Sequence, residues 1–304
     1  MSSDPSPRVP LPSISAVICT RNRPVDLERT LVSLAWQTHR CHEILVIDDS
    51  DHDRRDETEQ VCSGVDADVK ILTKDTPGLT ASRNLGIETV TGDVTMFFDD
   101  DVVLRPDYLH EIASAFAADD GLAAAGGSID DDHIYGFRRL RALVMIPGVK
   151  SGRVYRSGWS SQTPFAETRE IDHLIGCNMA YRTSVMTQYR FDDDFRGYAL
   201  GEDLDFSHRL RLDGHRILSV GTARLWHLTG DARHDRAWGY REMVIRPIVA
   251  GEKFNRAAFL VSATTFLLTN SIKNRERARG NLAGIADVMR RRKPRDIQTL
   301  QKGT

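Results

Sequence analysis

Val94–Thr95–Met96–Phe97–Phe98–Asp99–Asp100–Asp101 sets three aspartates directly behind an apolar run, with no spacer between them. The run is short and rich in β-branched and aromatic residues, which predicts a buried strand. In an open α/β sheet, the carboxyl end of a strand borders the crevice where such folds bind ligands. Three like charges this close repel one another, and each carboxylate is destabilised unless a cation offsets it. A hard divalent metal that also bridges to a phosphate meets that need with oxygen ligands. The plain alternative is an acidic turn facing water.

Working outward, the N-terminal half alternates strand and helix signals. Strands are expected at Ser15–Thr20, Glu43–Asp48, Val69–Thr73 and Leu122–Ser128, with the quoted run between the last two. Helices are expected from Pro24, with Leu27, Leu31, Leu34 and Ala35 on one face, over Leu79–Val90, and from Pro106, with Leu109, Ile112, Ala113 and Phe116 at helical spacing. Such alternation predicts parallel strands joined by right-handed crossovers. Regularity fades between Ile129 and Asp172, where Gly136, Gly148, Gly152 and Gly158 lie among aromatics and arginines. Long irregular segments inside a compact domain are usually functional loops. Pattern resumes at His173–Arg182, followed by helices near Thr183–Tyr189 and over Glu202–Asp213 and strands near Ile217 and Leu225. The chain after Asp235 reads as helical and ends in Arg290–Arg291–Arg292–Lys293 with Arg295. The expected division is a disordered tail over residues 1–12, an α/β domain over 13–235 with halves meeting near residue 101, and a helical extension over 236–304.

The composition narrows the class. A chain of 304 residues can bury a sizeable core, and its net charge of −2 argues against a globally nucleic-acid-binding surface. Cys19, Cys41, Cys62 and Cys177 are scattered, with no C-x-x-C spacing, so neither a disulfide framework nor a zinc site is expected. Reduced thiols and the lack of a signal-peptide pattern in the Ser- and Pro-rich first residues point to the cytoplasm. Ala257–Thr269 is too short to span a bilayer and is expected to form a core or interfacial helix. Together with the basic C-terminal cluster it could approach the inner face of a membrane, while a solvated helix end is the simpler reading of that cluster.

Charged groups recur at the ends of the expected elements. Asp48–Asp49–Ser50 closes the second strand, where its carboxylates could accept from a nucleotide's base or ribose, or simply cap a turn. Arg83, in Ser82–Arg83–Asn84–Leu85–Gly86, could clamp a diphosphate bidentately or be a solvated helix charge. Gly201–Glu202–Asp203–Leu204–Asp205 starts a helix, where acids gain from the helix dipole. A second acidic centre, separate from the triplet, also suits group transfer, with one site holding a metal and the other taking a proton.

Taken together, these segments resemble the family 2 glycosyltransferases, inverting enzymes with the GT-A fold. The matching stretches are Ser15 to Arg23 with Leu31-x-x-Leu34-x-x-Gln37–Thr38, Glu43 to Ser50, Ala81 to Gly86, and Gly92–Asp93 leading into the triplet. They continue with Gly176–Cys177–Asn178–Met179–Ala180 and Gly201–Glu202–Asp203–Leu204–Asp205 through Arg209 and Gly214, so the resemblance covers about residues 13–230. It implies a mostly parallel mixed sheet flanked by helices. It also implies Thr20, Arg23 and Asp49 at the nucleoside, Arg83 at the base or diphosphate, and Asp99, Asp100 and Glu202 in the nucleotide-sugar site. Asp99 and Asp101 would form the D-x-D pair holding Mg²⁺ or Mn²⁺, with His227 as a further ligand and Asp203 as the catalytic base. Arg21 stands where tyrosine is frequent in the family, and the Gln-x-x-Arg-Trp motif of processive members is absent.

The expected partners are a nucleotide-sugar, UDP-linked in the commonest case, and a sugar or glycoconjugate hydroxyl. Tyr155, Trp159 and Phe165 could wall the acceptor site or serve as loop packing, and Trp238 and Tyr240 could add to that wall. Two competing readings are transfer to a polyprenyl phosphate, which needs no base, and a catalytically dead nucleotide-sugar-binding protein on the same fold.

Overall fold

A computed structural model describes residues 10–130, 152–161, 167–193, 195, 199–228, 235–271 and 274–292. The expectations placed on residues 1–9, Gly136, Gly148, Phe165, Lys293 and Arg295 lie outside these. In chain order the elements are β1 (Ile14–Thr20), α1 (Pro24–Ala35), β2 (Glu43–Asp48), α2 (Arg55–Ser63), β3 (Val69–Thr73), α3 (Leu79–Thr89), β4 (Val94–Asp99), β5 (Val102–Leu104), α4 (Tyr108–Ala118), β6 (Leu122–Ile129), β7 (Arg169–Glu170), β8 (Asn178–Arg182), α5 (Thr183–Met186), α6 (Glu202–Leu212), β9 (Arg216–His227), α7 (Arg236–Ala250), α8 (Arg256–Ser271) and α9 (Arg275–Met289).

The strands form one sheet in the order β3-β2-β1-β4-β8-β6-β9-β5, with β7 pairing β9. β1 through β4 pair in parallel, as the alternation predicts, and so do β6 and β9. The sheet is mixed, as the resemblance implies: β8 runs antiparallel between β4 and β6, and β5 and β7 are both antiparallel to β9. An antiparallel neighbour requires no crossover helix between the paired strands. The two strands expected near Ile217 and Leu225 are one continuous β9, whose register against β6 slips where Gly127 faces Val220 and Ser128 faces Arg224. The helix expected over Thr183–Tyr189 is one turn, α5.

Period-two alternation divides the core between the faces of the sheet. Ile18 of β1 and Phe98 of β4 join Leu27, Leu31 and Leu34 of α1 and Ile112 and Phe116 of α4. Their chain neighbours Val17 and Phe97 join Met179, Phe191, Phe206 and Leu210 on the other side. Gly86 lets α3 close onto β1: a Cβ there would stand 2.7 Å from Val17 Cγ1.

The C-terminal helices α7, α8 and α9 pack on one another around Met243, Phe259, Ala263 and Val288. Arg277 pairs with Glu242, and Tyr240 Oη donates to Asp287 at 3.1 Å. Tyr240 is therefore buried between helices and forms no acceptor wall. Trp159 belongs to the same packing, with its ring 5.6 Å from Phe259, 6.0 Å from Phe266 and 4.6 Å from the Arg246 guanidinium. Of its two expected roles it takes loop packing. Among the described residues, no helix is long and apolar enough to cross a membrane.

Candidate functional site

Register explains why acids distant in sequence meet. β1 lies between β2 and β4, with Thr20 opposite Asp48 and Cys19 opposite Asp99, so the three strands end on one line. Turns leaving a common sheet edge then project Asp49 and the triplet on the same side. β9 arrives antiparallel to β5 with His227 opposite Val102, which sets its imidazole beside Asp101.

The triplet is not three equivalent carboxylates. Thr20 Oγ1 donates to Asp100 at 2.8 Å, and Arg23 reaches Asp100 Oδ1 at 2.6 Å and Asp101 Oδ2 at 2.8 Å. Thr30 Oγ1 donates to the backbone of the same turn. Burial pushes the Asp100 carboxyl up to about 7, against the pull of Arg23 and Thr20. Burial opposes ionisation at Asp101 as well, but hydrogen bonds from His227 and Arg23 outweigh it and hold that carboxyl below the usual range. Asp100 thus turns inward as a structural anchor, and Asp101 keeps its charge at the site. Thr20, Arg23 and Asp100, all expected at the nucleotide-sugar, are bonded to one another here.

Asp99, Asp101 and His227 converge, each offering one ligand atom within 4.8 Å of the others. His227 Nε2 lies 3.0 Å from Asp101 Oδ1 and 3.7 Å from Asp99 Oδ2. Burial disfavours a charged imidazole, yet Asp101, Cys177 and Asp99 overcome it and raise His227 to about 11. Asp101 Oδ1 is buried and turned into the cluster, facing the His227 ring nitrogen. Two carboxylates and an imidazole gathered this closely suit a divalent ion that prefers oxygen and tolerates nitrogen.

The second acidic centre comes from the N-terminus of α6. Its cap, Gly201, has φ 89, a left-handed conformation that glycine adopts without a side-chain clash. Glu202 is buried and accepts from Arg83 Nη1 at 2.6 Å. Arg83 also reaches Gly176 O at 3.3 Å and Asp99 Oδ1 at 3.4 Å. Burial alone would lower the pKa of Arg83, but Glu202 and Asp99 more than offset this and keep the guanidinium charged. Arg83 is 2% exposed. It therefore sits between the two acidic centres instead of on a solvated helix face. Asp203 Oδ2 accepts from Gly176 N at 2.7 Å and Oδ1 from Leu204 N at 2.7 Å. Gly176 thus donates to Asp203 and accepts from Arg83, linking the proton-accepting candidate to the metal candidate.

Asp49 is nearly buried. It accepts from Lys74 at 3.0 Å, from Gly78 N at 2.9 Å and from Ser82 Oγ at 2.9 Å. Lys74, which the sequence reading missed, carries no motif signal: it is a lone lysine just past β3. Asn22, also missed, has a signal in hindsight, because asparagine tolerates positive φ (58 here). Its side chain exchanges hydrogen bonds with Asp51, at 2.7 and 3.0 Å, and ties the β1 turn to the β2 turn.

Comparison with known proteins agrees with this architecture. Residues 15–190 match the family model described as glycosyl transferase family 2. The chain is 26% identical over 123 residues to a glucosyl-dolichyl phosphate glucuronosyltransferase of Haloferax volcanii, covering 40% of this chain and 39% of that one. It is 24% identical over 226 residues to the putative glycosyltransferase EpsH of Bacillus subtilis, covering 71% and 60%. The chain thus spans less than two thirds of the length of either relative. Among solved structures, the mannosyltransferase PcManGT from Pyrobaculum calidifontis, in complex with GDP-Man and Mn²⁺, superposes with a TM-score of 0.57 at 17% identity, over 96% of this chain and 84% of that one.

Proposed function

From the premise that the chain belongs to glycosyl transferase family 2 and has the GT-A fold, we propose that it moves a sugar from a nucleotide-sugar to an acceptor hydroxyl, non-processively, by a single inverting displacement that depends on Mg²⁺ or Mn²⁺. The observation that carries this reading is the convergence of Asp99, Asp101 and His227 within 4.8 Å, joined through Arg83 and Gly176 to Asp203.

In this reading Asp99, Asp101 and His227 hold the ion. A bound ion there would supply positive charge against the negative charge of the nucleoside diphosphate leaving group. Arg23, 39% of whose side chain is exposed, and Thr20 fix the triplet at the donor's edge. Asp49, oriented by Lys74 and Ser82, faces the nucleoside. Asp203 receives the proton of the attacking hydroxyl: its two oxygens take one backbone hydrogen bond each, which fixes the carboxylate and leaves lone pairs for that proton. UDP is the first donor nucleotide to examine and GDP the second, since the Pyrobaculum neighbour holds GDP-Man. The acceptor is a sugar or glycoconjugate.

A panel of nucleotide-sugars incubated with the full chain and Mn²⁺ tests the reading through release of nucleoside diphosphate. Asp203→Asn should lower turnover by about 10²–10⁴ while nucleotide affinity changes little. Full turnover in that variant would remove Asp203 from the role of base and favour an acceptor already ionised, such as a polyprenyl phosphate. Donor binding with no transfer or hydrolysis would favour the non-catalytic binder.

A further inference from the structure

α8 exposes the side of a helix that is usually hidden. Leu260, Val261 and Leu268 are 41%, 66% and 65% exposed, and Ala257 and Thr264 continue the same stripe. The opposite face, Phe259 and Ala263, is fully covered by α7 and α9. After Arg256 no charged residue occurs through Ser271, so the outer face lacks the charges a solvated helix carries.

Basic residues border this stripe along the chain. Lys253 precedes it, Arg275 and Arg279 follow, and Arg290, Arg291 and Arg292 close α9, all of them exposed, while Arg256 at the helix start is half-buried. Residues 236–304 hold fifteen Lys and Arg against five Asp and Glu, while residues 1–235 hold 26 against 38. The charge of −2 for the whole chain therefore conceals a strongly basic extension joined to an acidic α/β domain.

We infer that α8 lies in the plane of an anionic lipid bilayer surface, with Leu260, Val261 and Leu268 entering the acyl boundary and the flanking arginines on the headgroups. An interfacial helix needs an uncharged face, basic flanks and no spanning length, and all three are present. Charge selects this occupant over a second copy of the chain, since two basic extensions repel. The same asymmetry orients the molecule, because the acidic domain is repelled by the surface that attracts the extension. This inference uses residues apart from the acidic cluster and stands or falls separately from the proposed reaction.

Flotation of the full chain with vesicles of phosphatidylcholine alone, or mixed with phosphatidylglycerol, tests it. The protein should float with the anionic vesicles only, and less so as salt rises. Val261→Glu/Leu268→Glu, at exposed positions, should lower vesicle affinity by about tenfold or more. Neutralising Arg290, Arg291 and Arg292 to Gln should lower it by about fivefold per residue. Equal flotation with both vesicle types, or undiminished flotation of either variant, overturns the inference. So does a lipid-free dimer, seen by sedimentation, that Val261→Glu/Leu268→Glu converts to monomer, because a second copy would then cover the face.

Discussion

Arg83 and Glu202, 119 residues apart in sequence, meet inside the protein with Nη1 2.6 Å from Oε1. The contact joins α3, which packs against β1 and β2, to the first turn of α6, and so fixes the distance between the metal candidate and the proposed base. The pair is out of water, so removing one partner strands the other as a buried charge. Arg83→Met should destabilise the fold by about 3–5 kcal/mol in urea unfolding, and Arg83→Met/Glu202→Met by less than the sum of the single changes. Strict additivity in that double-mutant cycle would mean the two groups do not support each other.

Glu43 offers a pH-dependent test away from the site. Its carboxylate is 3% exposed and accepts from Ser15 Oγ at 2.7 Å and from Thr91 N and Oγ1 at 2.7 and 2.8 Å, with Lys70 at 3.0 Å. Burial opposes ionisation, but these bonds prevail and lower the pKa to about 2 from 4.5. A depressed acid stabilises the fold fully above its unfolded pKa. That stability should therefore be intact above about pH 5 and vanish as pH falls toward 2. Glu43→Gln should cost on the order of 2–3 kcal/mol at pH 7 and progressively less in acid. Unfolding curves of the two proteins that stay parallel down to pH 2 would contradict this.

Gly86 is the close contact that lets α3 deliver Arg83. Gly86→Ala would press its methyl against Val17 Cγ1, a side chain fully buried in the core, so that one of the two must shift. The expected loss is about 1–3 kcal/mol, read from the urea midpoint. An unchanged or raised midpoint would show that helix propensity outweighs the clash.

Much of this arrangement could be read before any coordinates. The ends of β1, β2 and β4 were legible because apolar runs stop abruptly at Thr20, Asp48 and Asp99, and parallel strands that stop together bring their ends together. His227 was legible as a further ligand through the family resemblance alone; its approach to Asp101 depends on the antiparallel register of β9 with β5, a three-residue strand too short to carry a periodic signal. α2 was missed because Arg55–Asp56–Glu57–Thr58–Glu59–Gln60 is almost wholly polar and buries only Thr58 and Cys62. The inward turn of Arg83 was illegible for another reason: solvated and buried arginines look alike in sequence until the partner, here in a distant helix, is known. Trp159 misleads in the same way, since an aromatic in a glycine-rich loop fits a sugar wall and a helix packing site equally well.

The central claim is that acids from separate segments form one cation site for a nucleoside diphosphate. Calorimetric titration of Mn²⁺ into the protein with saturating UDP, and then with GDP, tests it most directly on wild type, Asp101→Asn and His227→Ala. Wild type should bind one ion, and each substitution should weaken that affinity by at least about tenfold while leaving the thermal transition of the apo protein in place. Mn²⁺ binding of equal strength in all three proteins, or none in wild type with either nucleotide, would contradict the account.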